Sequence, residues 1–290
     1  MRMTARRKFK LKLPSGTLSL GAQTLIMGVL NVTPDSFSDG GKFYAEEHAI
    51  AQALRMEREG ADIIDIGAES TRPGSEGIII EEELRRLLPV LGGLRRLLKI
   101  PISIDTQKAE VAEAAIKAGA QIINDISGLR NDSRIAEIAA RYGVPLILMH
   151  MRGQPRTMQK GPFASDVIKD VSQGLRKSVA IAKKAGVKQS QIILDPGIGF
   201  GKNYAQNYEL LQKLPQIAKL GFPLLVGTSR KAFLGATLVR NGRPLPAEER
   251  VWGTAATVTA SILNGAHIVR VHDVAAMVQV AKVSDLIAGQ

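Results

Sequence analysis

From residue 25 almost to its end, the chain alternates short apolar runs with longer amphipathic ones. The short runs are LIMGVLN (25–31), DIIDIGA (62–68), PISIDT (101–106), QIINDIS (121–127), PLILMH (145–150), QIILDP (191–196), PLLVGTS (223–229) and HIVRVHD (267–273). Their residues are mostly β-branched or Leu, as parallel strands covered on both faces require. Between them lie helical periods such as AIAQALRMEREG, LRRLLPVLGGLRRLL, AEVAEAAIKAG, IAEIAARYG, DVSQGLRKSVAIAKKAG and ELLQKLPQIAKLG. Several stop in Gly just before the next apolar run (EGADII, AGAQII, NGAHIV), the usual end of a helix.

Eight such alternations with no long strand-poor segment predict a closed (β/α)8 TIM barrel. An open doubly wound sheet is the alternative, because periodicity alone does not show closure. Ahead of the first barrel strand, LKLPSGTLSLGAQT carries two short alternating runs around Pro14, Ser15 and Gly16, which predicts a β-hairpin closing the barrel bottom. No second domain, linker or low-complexity tract stands out. The expected organisation is a basic arm over residues 1–12 and one barrel domain over residues 13–290.

Composition narrows the chemistry. At 290 residues and 45% hydrophobic content the chain suits a barrel with a large core. The absence of Cys removes disulfides, thiolate catalysis and thiolate metal sites. No window approaches the roughly 18 apolar residues of a membrane span, and no apolar segment follows the N-terminal charges, so a cytoplasmic protein is expected. The net charge is +12, and Arg2, Arg6, Arg7, Lys8, Lys10 and Lys12 supply half of it, which reads as a solvated arm. A nucleic-acid-binding arm is the sharper reading, but aromatics are only 4% and no recognition motif is present.

In a barrel, chemistry collects where strands end. The predicted strands end in Asn31; Glu69, Ser70 and Thr71; Asp105 and Thr106; Asn124 and Asp125; His150; Asp195; Thr228, Ser229, Arg230 and Lys231; and Arg270, His272 and Asp273. The ordinary reading of each is a helix cap or a turn, and it suits Thr106, Asp125 and Ser127. It suits Asp105 and Asn124 less, since both lie inside apolar strands where an unpaired polar group is costly. Together with Asp195 they point to a flat heterocycle bearing several hydrogen-bonding groups. Arg270 and His272 are two apart on one strand and share a face, which with Asn31, Ser70 and Thr71 suggests a diphosphate site. The ordinary alternative is a buried ion pair of Arg270 with Asp273 or Asp285, and a packing role for His272.

Two glycine-bearing stretches add to this. DPGIGFGK lacks Walker spacing, and its three glycines would let the backbone approach a flat ligand beside Phe200. GTSRKAFLG places Ser229 and Lys231 after a strand, where the lysine is either a surface charge or a clamp over an aromatic ring. In GVLNVTPDSFSDGG, Phe37 stands in the middle of a polar loop bounded by Pro34, Gly40 and Gly41, which reads as a lid.

Eight blocks, NVTPDSFSDGG, GAESTRPGSE, SIDTQK, INDISG, LMHMRGQPRTMQ, LDPGIGFGKN, GTSRKAFLG and VRVHDV, together resemble dihydropteroate synthase, the folate-pathway enzyme that sulfonamides target. The resemblance runs from about residue 25 to the end. It implies a TIM barrel, usually a homodimer, that joins 4-aminobenzoate to 6-hydroxymethyl-7,8-dihydropterin diphosphate with Mg²⁺ and releases diphosphate. By position it assigns Asp105, Asn124, Met149, Asp195 and Lys231 to the pterin, and Thr71, Arg270, His272 and Asn31 to the diphosphate, with Mg²⁺ on Asn31. Phe37, Arg72, Pro73, Phe200, Ser229 and Lys231 would form the 4-aminobenzoate pocket. Asp105, Asp195, Lys231 and Arg270 would carry the catalysis, an SN1-like displacement at the pterin methylene. Ile198 stands where many members have Phe, and the basic arm is not part of the family pattern. A pterin-binding barrel that transfers methyl from methyltetrahydrofolate would not need STRPG, TSRK and VRVH together, and the intact rim speaks against a non-enzymatic nucleic-acid-binding barrel.

Overall fold

The computed structural model of the protein describes residues 6–33, 42–70, 75, 77–154 and 157–290. Each predicted apolar run holds one strand: β3 (Leu25–Asn31), β4 (Ile63–Gly67), β5 (Ile102–Asp105), β6 (Ile122–Asp125), β7 (Leu146–Met149), β8 (Ile192–Asp195), β9 (Leu225–Val226) and β12 (Ile268–Val271). They form an eight-stranded sheet in the order β8-β7-β6-β5-β4-β3-β12-β9, with parallel pairing throughout. The two ends meet: the Leu194 N–H donates to the Pro223 carbonyl at 3.0 Å and Leu194 bridges Leu224 in parallel. The sheet is thus a closed TIM barrel. Helices α1 (Lys42–Arg58), α2 (Ile80–Leu94), α3 (Ala109–Ala118), α4 (Arg134–Tyr142), α5 (Val167–Lys184), α6 (Tyr204–Gln212), α7 (Leu214–Ala218), α8 (Ala232–Thr237), α9 (Val251–Leu263) and α10 (Val274–Ile287) follow or lie between them.

The run ELLQKLPQIAKLG reads as one helical period but is split between α6 and α7. Pro215 is the reason, because it has no N–H to continue the ladder yet is well suited to a first helical turn. A two-strand ribbon, β10 (Val239–Arg240) with β11 (Arg243–Pro244), follows α8 and was not foreseen.

Successive strand residues face opposite sides, so parity decides what meets what. On one parity, Ile64, Ile104, Ile123, Leu148, Leu194, Val226 and Val269 pack into the large core beneath the helices. On the other, Met27, Ile63, Ile122, Ile147, Ile193, Leu225 and Ile268 fill the lower barrel. Ser103 holds the corresponding place on β5, and two residues further along the same parity come Val29, Asp65, Asp105, Asn124, Met149, Asp195, Gly227 and Arg270. The apolar layer thus gives way in one step to a polar one, and that step makes the floor of the site.

The hairpin of β1 (Phe9–Leu13) and β2 (Gly16–Leu20) closes the bottom as predicted, with Leu11, Leu13 and Leu20 buried in the lower-barrel cluster. Burying each leucine contributes about 1.5–3 kcal/mol. The hairpin starts inside the stretch read as a basic arm. FKLKL alternates, so Lys10 and Lys12 face solvent while Leu11 and Leu13 face the barrel. Arg6 is also buried: it donates to Thr24 Oγ1 at 2.5 Å, to the Ala266 carbonyl at 2.6 Å and to Asp285 of α10 at 2.5 Å. Residues 1–5 lie outside the described residues.

Candidate active site

At the C-terminal end of the barrel a cavity is lined by Val29, Asp105, Asn124, Ile126, Met149, Asp195, Gly197, Ile198, Phe200, Gly227, Ser229, Lys231, Arg270 and His272. All the strand residues among them share the inward parity. Asp105, Asn124, Met149, Asp195, Phe200, Ser229, Lys231, Arg270 and His272, read from the sequence as site residues, are therefore brought together. Phe37, Thr71, Arg72 and Pro73 lie outside the described residues. Asn31 stands at the upper end of β3, half-buried and in register with Gly67.

Sequence reasoning missed Asp65, the hub of the floor. The guanidinium of Arg270 donates through Nε to Asp65 Oδ2 at 2.6 Å and through Nη2 to Asp105 Oδ2 at 2.8 Å. Asn124 Nδ2 donates to the same Asp65 Oδ2 at 3.0 Å. Arg270 is thus ion-paired, but not with Asp273 or Asp285, which hold Arg230 and Arg6 instead. Nη1 of Arg270 donates to no described residue and remains for a ligand.

Burial sets the charges. It pushes Asp105 up to about 7; Arg270 opposes the rise, and the carboxylates of Asp65, Glu83 and Asp125 add to it. Burial likewise pushes Asp195 up to about 6, against the Gly197 N–H that it accepts at 2.7 Å and the nearby Lys231, Lys202 and Arg270. Lys231 is pushed down to about 8 by burial, with Asp195 opposing and Arg270 adding to the fall. Its Nζ lies 3.9 Å from the centre of the Phe200 ring, the clamp over an aromatic that the sequence suggested. His272 is pushed down to about 3 by burial and the Arg270 and Arg230 charges, so its imidazole is neutral at pH 7. Its Nδ1 sits 3.0 Å from Ser229 Oγ, which makes it a hydrogen-bonding group rather than a second cation.

The loop after β8 explains its glycines. A Cβ on Gly197 would lie 1.9 Å from the His150 carbonyl oxygen, and one on Gly201 would lie 2.1 Å from that of Arg152. Both have positive φ, 67° and 68°. The close approach holds Phe200 over the apolar patch of Ile126, Met149, Met151 and Met158. Lys202 is not a free phosphate ligand. It is buried, and its Nζ donates to the carbonyls of His150 at 3.1 Å and Phe200 at 3.0 Å. Ile198 is buried in the helix-side core, where it also borders the cavity. Asp125 has the parity of the helix side and accepts from the N–H groups of Ser127 at 2.8 Å and Leu129 at 2.6 Å, the turn role expected of it. Thr106 is likewise structural, donating to the buried Glu83 at 2.7 Å.

Among the described residues, no group of three His, Asp or Glu side chains could hold a metal ion. Asn31 offers one amide oxygen at the rim. That donor set fits Mg²⁺ held jointly with phosphate oxygens and waters, since this ion takes few protein ligands.

A closed barrel with an acceptor-rich, partly cationic pocket at its C-terminal mouth is the setting for recognition of a nitrogen heterocycle bearing an anionic group. The chain matches the family described as "Pterin binding enzyme" over residues 27–272, and it belongs to that family. It is 53% identical to the dihydropteroate synthase of Synechocystis sp. over 265 residues, covering 91% of this chain and 90% of that one. Among solved structures it resembles the Xanthomonas albilineans dihydropteroate synthase with 4-aminobenzoic acid, at TM-score 0.89 and 41% identity, covering 98% of this chain and 100% of that one. It also resembles the Burkholderia cenocepacia dihydropteroate synthase complexed with 7,8-dihydropteroate, at TM-score 0.84 and 40% identity, covering 97% of each chain. Within the pterin-binding enzymes, the family is dihydropteroate synthase.

Proposed function

We propose that the protein condenses 6-hydroxymethyl-7,8-dihydropterin diphosphate with 4-aminobenzoate to give 7,8-dihydropteroate and diphosphate. The observation that carries this reading is the floor itself: Asp105, Asn124, Asp195, Lys231 and Arg270 converge on one cavity from five segments of the barrel mouth. The carboxylates of Asp105 and Asp195 and the amide of Asn124 accept from the pterin's N–H and amino groups, while Lys231 donates to its carbonyl and ring nitrogen. Met149 supplies an apolar wall for the ring.

Arg270, through its uncommitted Nη1, and the neutral His272 bind the diphosphate beside Asn31 and Thr71. Asn31 would hold Mg²⁺ with the diphosphate, and the bound ion would supply neutralisation of leaving-group charge. Departure of diphosphate leaves a cation delocalised into the pterin, which Asp105 and Asp195 stabilise electrostatically from fixed positions. The aryl amine, already neutral at pH 7, then attacks the methylene and loses its proton to solvent. Phe200, Lys231 and Ser229, with Phe37, Arg72 and Pro73, hold 4-aminobenzoate in line, so catalysis is mostly positioning and charge stabilisation.

The methyl-transfer alternative is not favoured, since the relatives described above are synthases. No described helix is long and apolar enough to cross a membrane. A cytoplasmic homodimer, as in the family pattern, completes the reading. Incubating purified protein with Mg²⁺, pterin diphosphate and isotope-labelled 4-aminobenzoate should yield labelled dihydropteroate. Absence of labelled product would refute the assignment.

A further inference from the structure

We propose that Asp65 is a positioning residue for heterocycle specificity: by engaging one side of the Asn124 amide, it dictates that Asn124 shows the ligand an acceptor. Asp65 lies mid-strand in β4, in register with Val29 of β3 and Ser103 of β5, and is 0% exposed. Its Oδ2 takes the Arg270 Nε–H at 2.6 Å, and a guanidinium only donates, so Oδ2 is an acceptor. Asn124, 3.0 Å from that oxygen, must therefore turn its NH₂ towards it, because the opposite orientation would set two acceptors face to face. Oδ1 of Asn124 accepts no hydrogen bond from the described residues, and Asn124 lines the cavity, so the carbonyl oxygen is what a ligand meets.

A second observation separates this from simple packing. Asp65 Oδ1 is buried with no hydrogen-bond partner among the described residues, as is Oγ of its neighbour Ser103. A carboxylate kept inside a barrel with one oxygen unpaired is a poor structural element, and the ligand-facing consequence of the other oxygen gives it a reason to be there. With Asn124 fixed this way, Asn124, Asp105 and Asp195 all present acceptors. The pocket then selects an edge of N–H and amino donors and disfavours the same ring system with a carbonyl in place of the amino group. This rests on the reading of the cavity as a pterin site.

The test compares Asp65→Asn with Asp65→Leu. Both remove the charge and keep the size, but only Asn retains an oxygen that can accept from Arg270 and Asn124. Calorimetry on the full-length protein measures affinity for 6-hydroxymethylpterin and for 6-hydroxymethyllumazine, its 2-oxo counterpart. Wild type should prefer the amino compound by about 100-fold or more, since a site built on hydrogen bonds rejects the mismatched analogue. Asp65→Asn should keep that ratio within about threefold, and Asp65→Leu should cut it by about tenfold, the weight of one hydrogen bond of about 1.4 kcal/mol. An unchanged ratio in Asp65→Leu overturns the proposal while leaving the pterin reading intact. Failure of wild type to bind either compound overturns both. Should Asp65→Leu not fold, a neutron structure of wild type with 6-hydroxymethylpterin decides: deuterons of the Asn124 amide towards Asp65 support the proposal, and towards the ligand they overturn it.

Discussion

The pair of Asp195 and Lys231 gives the most quantitative expectation. Asp195 is raised from 3.8 to about 6 and Lys231 lowered from 10.5 to about 8, both chiefly by burial. Recognition of the pterin edge as described needs the carboxylate and the ammonium together. Raising a carboxylate pKa brings its protonation to higher pH, and lowering an amine pKa brings its neutralisation to lower pH, so the active form is squeezed from both sides. Asp105, at about 7, must be ionised as well, so with these three values the active form makes up about 40% of the free enzyme at pH 7, about 9% at pH 9 and well under 1% at pH 5. The expected kcat/KM for pterin diphosphate, at saturating 4-aminobenzoate, is a bell centred at about pH 7.5 whose acid side, set by two carboxylates, falls more steeply than its alkaline side. Substrate ionisation is common to all variants, so the enzyme's share is isolated by substitution. Lys231→Arg, with a guanidinium that does not titrate below pH 12, should carry the alkaline limb out of range, and Asp195→Asn should reduce the acid limb to the single step of Asp105 at about pH 7, at much reduced activity. An alkaline limb that stays near pH 8 in Lys231→Arg, or an acid limb of undiminished steepness in Asp195→Asn, would refute the reasoning.

Three further perturbations test other parts of the structure. Arg270→Ala leaves Asp65 and Asp105 without their cation and should weaken free hydroxymethylpterin too, but in calorimetry the diphosphate-bearing substrate should lose a further factor of about 10- to 150-fold, the weight of a charge-assisted hydrogen bond; equal losses would contradict its role. Arg6→Ala leaves Asp285 buried without its cation, although Thr24 still donates to both oxygens. The expected destabilisation is about 3 kcal/mol in denaturant unfolding, or a Tm lower by about 5 °C. Gly197→Ala forces a Cβ into the His150 carbonyl at a φ of 67° and should lower pterin affinity at least tenfold, about 1.4 kcal/mol; unchanged affinity would show that the loop geometry is not needed.

Much of this was legible in the sequence because parallel strands announce themselves as apolar runs and because a barrel puts their ends on one rim. Asp105, Asn124 and Asp195 were found on those grounds, and Lys231 over Phe200 was already one of two readings of GTSRKAFLG. Asp65 escapes a reading of strand ends because it lies inside DIIDIGA rather than at its end. The available signal was parity: Asp65 lies two residues before Gly67, on the inward layer, and an aspartate inside a run of isoleucines needs a partner. The true partners of Arg270 could not be read, since which strands face each other across the barrel depends on closure, and nearby aspartates in the chain are no guide to neighbours in space. The basic N-terminal stretch misled through its charge, while its period-two alternation was the better indicator for residues 9–13.

The Arg6–Asp285 clasp also constrains the order in which the protein can fold. Its two ends are 279 positions apart in sequence. The barrel itself closes only when β12 slots between β3 and β9. At a ribosomal rate of 5–20 residues per second, roughly 15–55 s separate the emergence of the two ends. Throughout that interval the leucines of the N-terminal hairpin have no complete barrel to plug. Final closure therefore waits until β12 and α10 have left the ribosome, and the nascent chain carries an unsatisfied apolar hairpin until then, the kind of surface that holding chaperones bind.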